Sequence, residues 1–530
     1  MLIFVPMAGA GDRYARAGYA APKPLIEVDG VPMIERVVRS FEGAGRFLFT
    51  VSRLHAERTP LLAVLRRIAP SAEVAVIEAH KDGPVRTLLD CAGSIPDDEE
   101  VVLNYCDFGV DWSFGAFRAW LARGAWDGAM TAYRGFHPHS LGPTLYAYLR
   151  HDGERVTEVR EKHHFTPDRM GEYASSGLYY FRRGRDLVRL ARELVASGER
   201  VPGEFYVSMV MQRLIAEGGR VGVHPLDHFY QWGTPEDLRD YEGWSRGMGR
   251  LDAFVADVRA ARSRASQVIP MAGRGQRFVD RGYADPKPLI DVAGQAMIAQ
   301  AVACLPTPAA RVLVAQRDHA AGARFREATA RLRPAPEVVA LDGVTEGQAC
   351  TAALGVARVD PDAPVLVAPC DTGYVYDVEA WLAQEAAGDA DAVVFGARGH
   401  LPALWGPASY GWMEVDAAGR VRRVAVKETV SGVDRAEQQV VTGTFWFRDA
   451  ALFARETAAM VAADDRVNGE FYVDTIARRM VAAGARVKCF TVEKYMPWGT
   501  PDELRTFEYW NDVFRGGRPM GAGPAEEGDR

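Results

Sequence analysis

Apolar residues along this chain follow two rhythms that alternate. Leu2–Met7 is a short, continuous apolar run, the pattern of a central parallel strand covered on both faces. Residues 32–41 then place Met33, Ile34, Val37, Val38 and Phe41 at helical spacing. Residues 46–51 read as strand, Leu61–Ile68 as helix, and residues 74–77 and 101–105 as strands again. Further on, 268–271, 311–315 and 365–368 repeat the strand signal, with 296–304 as a helix between them. Such alternation predicts doubly wound α/β sheets, mostly parallel, with ligands at the carboxyl ends of the strands.

The pattern returns because the sequence itself returns. Gly9, Arg13, Lys23 and Asp107 recur as Gly273, Arg277, Lys287 and Asp371, each 264 positions later. Two later landmarks, Gly203-Glu-Phe-Tyr-Val and Trp232-Gly-Thr-Pro, recur 266 positions on, at Gly469 and Trp498. A period this long marks a repeated domain rather than a solenoid unit. The expected division is a domain at 1–244, a linker at 245–266, a second domain at 267–514 and a disordered tail at 515–530. Leu251, Phe254, Val255 and Val258 form one stripe, so the linker is expected to be partly helical. The tail is expected to be disordered for its Gly, Pro and acidic content.

Size and composition narrow the classes. With 530 residues the chain exceeds one ordinary core. Its 48% hydrophobic and 25% charged content is that of a soluble globular protein. A net charge of −7 without any Lys/Arg-dense segment argues against nucleic acid as a partner. The six cysteines lack paired short spacings, which argues against zinc ribbons and disulfide scaffolds and fits a reducing cytoplasm. The apolar start is expected to be a first strand rather than a leader. No run approaches the length that spans a bilayer, so no membrane partner is expected.

The candidate chemistry begins where the first strand ends. Gly9 and Gly11, and again Gly273 and Gly275, follow apolar runs directly. Glycine leaves no Cβ in the way, so backbone N–H groups can approach an anion. Arg13 and Arg277 bring planar forks suited to phosphate oxygens. Lys23 and Lys287 stand between prolines and supply compact positive charges. A tight strand-to-helix turn explains one such loop equally well. A dinucleotide fingerprint would need a third glycine where Tyr14 and Phe278 stand, and a Walker loop would need Gly-Lys-Ser/Thr, which is absent. Asp107 and Asp371 each follow an apolar run, where a carboxylate would emerge from the sheet.

Taken in order, Gly9-x-Gly11-x-Arg13, Pro22-Lys23-Pro24, the strand-end Asp107, Glu161-Lys162, Ser176-Gly177 and Trp232-Gly-Thr-Pro resemble the nucleoside-triphosphate:sugar-1-phosphate nucleotidyltransferases. The resemblance covers nearly all of 1–244 and again 267–511. It implies two tandem Rossmann-like domains of GT-A type. It also implies transfer from an NTP to a sugar 1-phosphate with Mg²⁺, in the service of surface polysaccharide synthesis. By this resemblance Ala8, Gly9, Gly11, Gly83, Ala272, Gly273, Gly275 and Gly347 bind nucleotide. Arg13, Lys23, Lys162, Arg277, Lys287 and Lys427 act in catalysis. Glu161, Gly177 and Gly443 bind the acceptor, and Asp107 and Asp371 hold the metal.

The two copies depart from that pattern and from each other. Glu161-Lys162 corresponds to Val426-Lys427, and Gly83-Pro-Val-Arg-Thr87 to Gly347-Gln-Ala-Cys-Thr351. The copies therefore need not share a base or an acceptor. The family's second metal-binding Asp is replaced by Gln231 and Pro497, leaving Asp111 and Asp377 as candidates. His137, His139, His163 and His164 lack zinc spacing and are expected at the surface or in a substrate loop. Cys106 and Cys370 are expected to pack as small hydrophobes. Phe205-Tyr206 and Phe471-Tyr472 either line the sugar site or belong to the core. A cytidylyltransferase acting on a non-sugar acceptor, or a non-catalytic regulatory role for one copy, stays open. A glycosyltransferase would show Asp-x-Asp where Asp107-Phe-Gly and Asp371-Thr-Gly stand. Homo-oligomerisation is left open by the sequence.

Overall fold

The computed structural model describes residues 1–9 and 11–521. The chain divides after Glu242 into two compact units. In the first, Glu73–Ile77, Arg46–Ser52, Leu2–Met7 and Val101–Asn104 lie side by side in that order, all parallel. Tyr173–Phe181 follows, antiparallel to Val101–Asn104 and to the next strand, Gly128–Tyr133. Val221–Leu226 then runs parallel to Gly128–Tyr133. The second unit repeats this order and these senses. Glu337–Leu341, Arg311–Gln316, Ser266–Pro270 and Val365–Val367 are parallel. Gln439–Phe447 inverts the sheet, and Ala392–Ala397 and Val487–Thr491 complete it. Even the register repeats: Phe4 faces Leu48 as Val268 faces Val312.

The first strand shows why a continuous apolar run is needed. Leu2 and Phe4 pack into the core on one face of the sheet, and Ile3, Val5 and Met7 into the core on the other. Each fully buried side chain of this size contributes about 1.5–3 kcal/mol. A polar residue at any of these positions would lie in a dry layer. Helices cover both faces, and Leu61–Ile68 forms where its apolar stripe predicts. The antiparallel strand in the middle of each sheet departs from a purely parallel reading. In the first unit it follows a hairpin of the same sheet, Tyr148–Asp152 with Arg155–Arg160, after which Tyr173–Phe181 runs antiparallel to both Gly128–Tyr133 and Tyr148–Asp152.

Pro235–Ala260 is one continuous helix, which takes in the stretch of 245–266 expected to be helical. Leu251, Phe254, Val255 and Val258 are all buried, because their stripe packs into the second unit. Phe254, for example, meets Tyr376 edge-on. The expected disorder from 515 onward does not hold for 515–521. Arg515 ends the helix Pro501–Arg515, Met520 is buried, and the Gly521 N–H donates to Asp252. The physical reason is an anchor invisible to composition: the Arg515 guanidinium, 2% exposed, forms an ion pair with Asp252 at 2.5 Å and donates to the Pro519 carbonyl. The remaining tail, 522–530, lies outside the described residues. Among the described residues no helix is long and apolar enough to cross a membrane.

Removing one partner of a buried ion pair strands the other charge, at a cost of about 3–5 kcal/mol. Asp252→Ala is therefore expected to lower the urea-unfolding stability of the protein by about that amount. A change within the error of the wild-type midpoint would contradict this anchoring.

Candidate active site

In each unit the first strand ends and the chain turns at once. Gly11 and Gly275 take φ of 65° and 63° and cap short helices that carry Arg13 and Arg277. A Cβ at Gly275 would come 2.8 Å from the Lys287 Cβ, so both the conformation and the space require glycine. Ala8 and Ala272 are buried at the strand ends, and the Ala272 carbonyl accepts from Gln316 Nε2 at 2.6 Å. Gly9 and Gly273 have open space where a Cβ would be. Arg13 and Arg277 are exposed, and their guanidinium groups make no hydrogen bond or ion pair among the described residues. Tyr14, standing where a dinucleotide fingerprint needs glycine, is buried. Its hydroxyl donates to the carbonyls of Trp232 and Thr234.

Beneath the loop lies a charge pair, and it is the same in both units. Lys23 Nζ meets Asp107 Oδ2 at 2.5 Å, and Lys287 pairs with Asp371 in the same way. Burial opposes the charge on each lysine. The neighbouring aspartate outweighs it and holds both pKa values above the ordinary value. A second element closes on this pair. Phe108–Asp111 pairs antiparallel with His228–Gln231, and Thr372–Val375 with Lys494–Pro497. The ladder ends as the Trp232 N–H donates to the Asp107 carbonyl at 3.0 Å and Trp498 to Asp371 at 2.7 Å. The late Trp-Gly-Thr-Pro motif is thereby brought to the aspartate, and Lys23 also donates to the Gly233 carbonyl.

The segments assigned to base and acceptor border the same strand ends. Gly83 and Gly347 open the helices Pro84–Asp90 and Gln348–Val356 at φ of 95° and 143°. A Cβ there would lie 2.7 Å from the Phe205 carbonyl oxygen and 2.5 Å from that of Phe471. Gly177 and Gly443 also have positive φ, facing the Tyr105 ring and Pro369. Lys162 and Lys427 both take positive φ, 53° and 61°, uncommon for a side chain of that size. Strain of this kind clusters where geometry serves function. Lys162 Nζ donates to the Tyr206 hydroxyl at 2.6 Å, and Glu161 accepts from Ser208 Oγ at 2.5 Å. Lys427 instead donates to the Ser409 carbonyl at 2.7 Å. The aromatic pairs split: Phe205 and Phe471 are core, while Tyr206 and Tyr472 lie beside the lysines.

Several sequence expectations are corrected here. Asp111, the sequence's candidate for a second metal ligand, accepts from the Tyr230 hydroxyl and faces His228. Asp377 caps the helix Val378–Ala386 by accepting from the Ala380 N–H. His137 and His139 are not surface residues; they pack around Tyr133, with His139 bonded to its hydroxyl at 2.7 Å. Cys106 and Cys370 are buried, and burial pushes both thiols up to about 12, in keeping with a packing role. Two acids were missed. Asp237 and Glu503 occupy the same place in the helix that follows Gly-Thr-Pro. Asp237 accepts from Gln231 Nε2 and Thr234 Oγ1. A Cβ on Gly499 would lie 3.1 Å from Glu503 Oε2 and 3.2 Å from Asp371 Oδ2, so those two carboxylates border one point. The signal was the acidic pair after each Gly-Thr-Pro, Glu236-Asp237 and Asp502-Glu503.

Among the described residues no group of three or more His, Cys, Asp or Glu side chains is placed to hold a metal. The donors present are hard carboxylate oxygens, one at the charge pair and one nearby. They fit a divalent cation that draws most of its ligands from phosphate oxygens and water.

Residues 267–433 match the model of the MobA-like NTP transferase domain family. The match lies within the second unit, which carries an NTP transferase domain. No curated protein matches the chain in sequence. Among solved structures, it is similar to the nucleoside-diphosphate-sugar pyrophosphorylase from Vibrio cholerae RC9. The identity is 22%, over 45% of this chain and 99% of that one, with a TM-score of 0.38. It is also similar to the inositol-1-phosphate CTP transferase from T. maritima, at 16% identity over 46% and 93%, with a TM-score of 0.36. A UDP-glucose pyrophosphorylase complexed with UDP-glucose is 14% identical over 46% and 96%, with a TM-score of 0.37.

Glu161 offers a test of the acceptor-side geometry that needs no substrate. Burial pushes its carboxyl up to about 7, with the Ser208 hydroxyl and Lys162 pulling the other way. A raised carboxyl holds its proton more tightly when folded. Ionising it therefore removes stability as pH rises from about 4.5 to about 7. Glu161→Gln is expected to lose that slope, seen as a wild-type-minus-variant difference in urea stability that shrinks with rising pH across this range. Parallel profiles would contradict the burial of this carboxyl.

Proposed function

We propose that both units are active and that each transfers a nucleotidyl group from an NTP to a sugar 1-phosphate, releasing pyrophosphate. The observation that carries this reading is the lysine–aspartate pair beneath a glycine loop, built twice with the same partners. A domain released from catalysis has no reason to retain a half-buried charge pair that is costly to desolvate.

The chemistry asks for what these residues offer. An acceptor phosphate oxygen attacks the α-phosphorus and pyrophosphate leaves, with no covalent enzyme intermediate. Two polyanions must be brought together, so positioning and charge neutralisation dominate. Gly9 and Gly11 expose backbone N–H groups to the triphosphate, and Arg13 and Lys23 neutralise it. Gly273, Gly275, Arg277 and Lys287 do the same in the second unit. Before substrate arrives, each lysine is held by its aspartate. Once phosphate oxygens compete for the lysine, the aspartate becomes available to a cation. Asp107 and Asp371 would hold Mg²⁺, with Asp237 and Glu503 as the nearby acids. The bound cation supplies positive charge against the phosphate oxygens. Lys162 and Glu161 orient the acceptor from the opposite side. We assign the product as an activated sugar for surface polysaccharide synthesis in the cytoplasm.

The test is pyrophosphate release by the full chain, with the four NTPs offered against pooled phosphorylated sugars and products read by mass spectrometry. Asp107→Ala and Asp371→Ala are each expected to remove one activity by about 10²-fold or more, and the double variant to remove both. Turnover confined to non-sugar acceptors with CTP would move the assignment to a cytidylyltransferase. Undiminished turnover in the double variant would sink it.

A further inference from the structure

The two units differ at three positions that touch one another. In the first unit they are Ala147, Glu161 and Ser208. In the second they are Gly411, Val426 and Asp474. The correspondence is fixed by hydrogen-bonded register. Tyr148 faces Arg160 as Trp412 faces Ala425, so Ala147 and Glu161 sit where Gly411 and Val426 sit. Ser208 and Asp474 are each the second residue of matching helices, Val207–Ala216 and Val473–Ala482.

The changes compensate. In the first unit the carboxylate comes from the strand end, as Glu161, and the helix contributes only the Ser208 hydroxyl that holds it at 2.5 Å. In the second unit the strand end is apolar, as Val426, and the helix supplies the carboxylate, as Asp474. That carboxylate lies over Gly411, and a Cβ there would collide with it. Gly411 is the ladder partner of both Val426 and Val441, so the loss of one methyl group opens the space the acid now fills. A structural role alone would not explain why space is cleared for a charge. Asp474 makes no hydrogen bond or ion pair with another residue among the described residues, and it is not closed off from solvent. The charge facing Asp474 is Lys427 on the strand end, and Lys427 is faced in turn by Arg277, Glu470 and Glu503. Lys427 donates to the Ser409 carbonyl and lies over the Tyr472 ring, whereas Lys162 donates to the Tyr206 hydroxyl.

We propose that Asp474 is the acceptor-binding carboxylate of the second unit. Reaching the acceptor from the helix rather than from the strand end, it selects a phosphorylated polyhydroxy acceptor whose hydroxyl arrangement differs from that of the first unit's acceptor. This rests on the nucleotidyl-transfer reading above. A carboxylate accepting a hydroxyl hydrogen is directional, so moving its origin by one element changes which hydroxyl it can meet.

The experiment uses the full chain in the Asp107→Ala background, which isolates the second unit. Turnover is measured against a panel of sugar and polyol phosphates. Asp474→Asn is expected to raise the acceptor KM by about 10- to 100-fold, the value of one hydrogen bond to a charged group, while the NTP KM stays within twofold. The exchange Gly411→Ala with Val426→Glu and Asp474→Ser is expected to move the acceptor preference toward that of the first unit, read in the Asp371→Ala background. Circular dichroism confirms that each variant folds. An unchanged acceptor KM in Asp474→Asn overturns this inference and leaves the transfer reading standing. Equal rises in both KM values also overturn it, since that is the mark of general damage. No turnover with any acceptor in the Asp107→Ala background overturns activity in the second unit, and this inference with it.

Discussion

The lysine–aspartate pair is the constraint around which each unit is arranged. It joins three parts of the chain that are far apart in sequence: the Pro-Lys-Pro turn, the end of the fourth strand of the sheet, and the Trp-Gly-Thr-Pro segment. Lys23 reaches both Asp107 and the Gly233 carbonyl, and Trp232 ties back to Asp107 through the backbone. A lysine this deeply placed cannot be left unpaired, and an aspartate at a strand end cannot be left unsatisfied. The aspartate keeps the lysine charged. In the proposed reaction the pair offers one cation and one anion when a polyanion and a metal arrive together.

Around that pair the fold assigns work by element. Strand ends carry backbone and carboxylate, short helices carry the free guanidiniums, and the two-stranded ladder closes the far side. The sites diverge only at the periphery. On the proposed reading the triphosphate side repeats almost residue for residue, because phosphate geometry is the same whatever the base. The proposed acceptor side differs, because discrimination among hydroxylated acceptors needs a directional contact and not just charge. Relocating a carboxylate from strand to helix, with a methyl removed to receive it, is a small change that leaves the core and the charge pair untouched.

Much of this was legible before the structure. The buried first strand, the helix at Leu61–Ile68 and the doubling of the loop all follow from local pattern, where periodicity and glycine chemistry decide. The reading failed where distant segments decide. The central antiparallel strand Tyr173–Phe181 depends on how the chain re-enters the sheet, which no local signal encodes. Asp111 and Asp377 looked available because they lie near the aspartates in sequence. Each turned out to be engaged, one by Tyr230 across a ladder and the other by its own helix cap. Asp237 and Glu503 stand after the Gly-Thr-Pro turn, whereas the resemblance points to the position before it, so only the fold brings them to the aspartates. Asp474 was invisible for the same reason that it matters: its meaning depends on Gly411, 63 residues earlier in the chain. The tail looked disordered by composition, and a single arginine, Arg515, orders its first part.

The central claim is that one chain carries two triphosphate sites, each dependent on its own charge pair. Equilibrium titration of a non-hydrolysable NTP in the presence of Mg²⁺ tests it most directly, by stoichiometry. The account predicts two nucleotides bound per chain in the wild type and one in either Lys23→Ala or Lys287→Ala. One site in the wild type, or two retained in either variant, would contradict it.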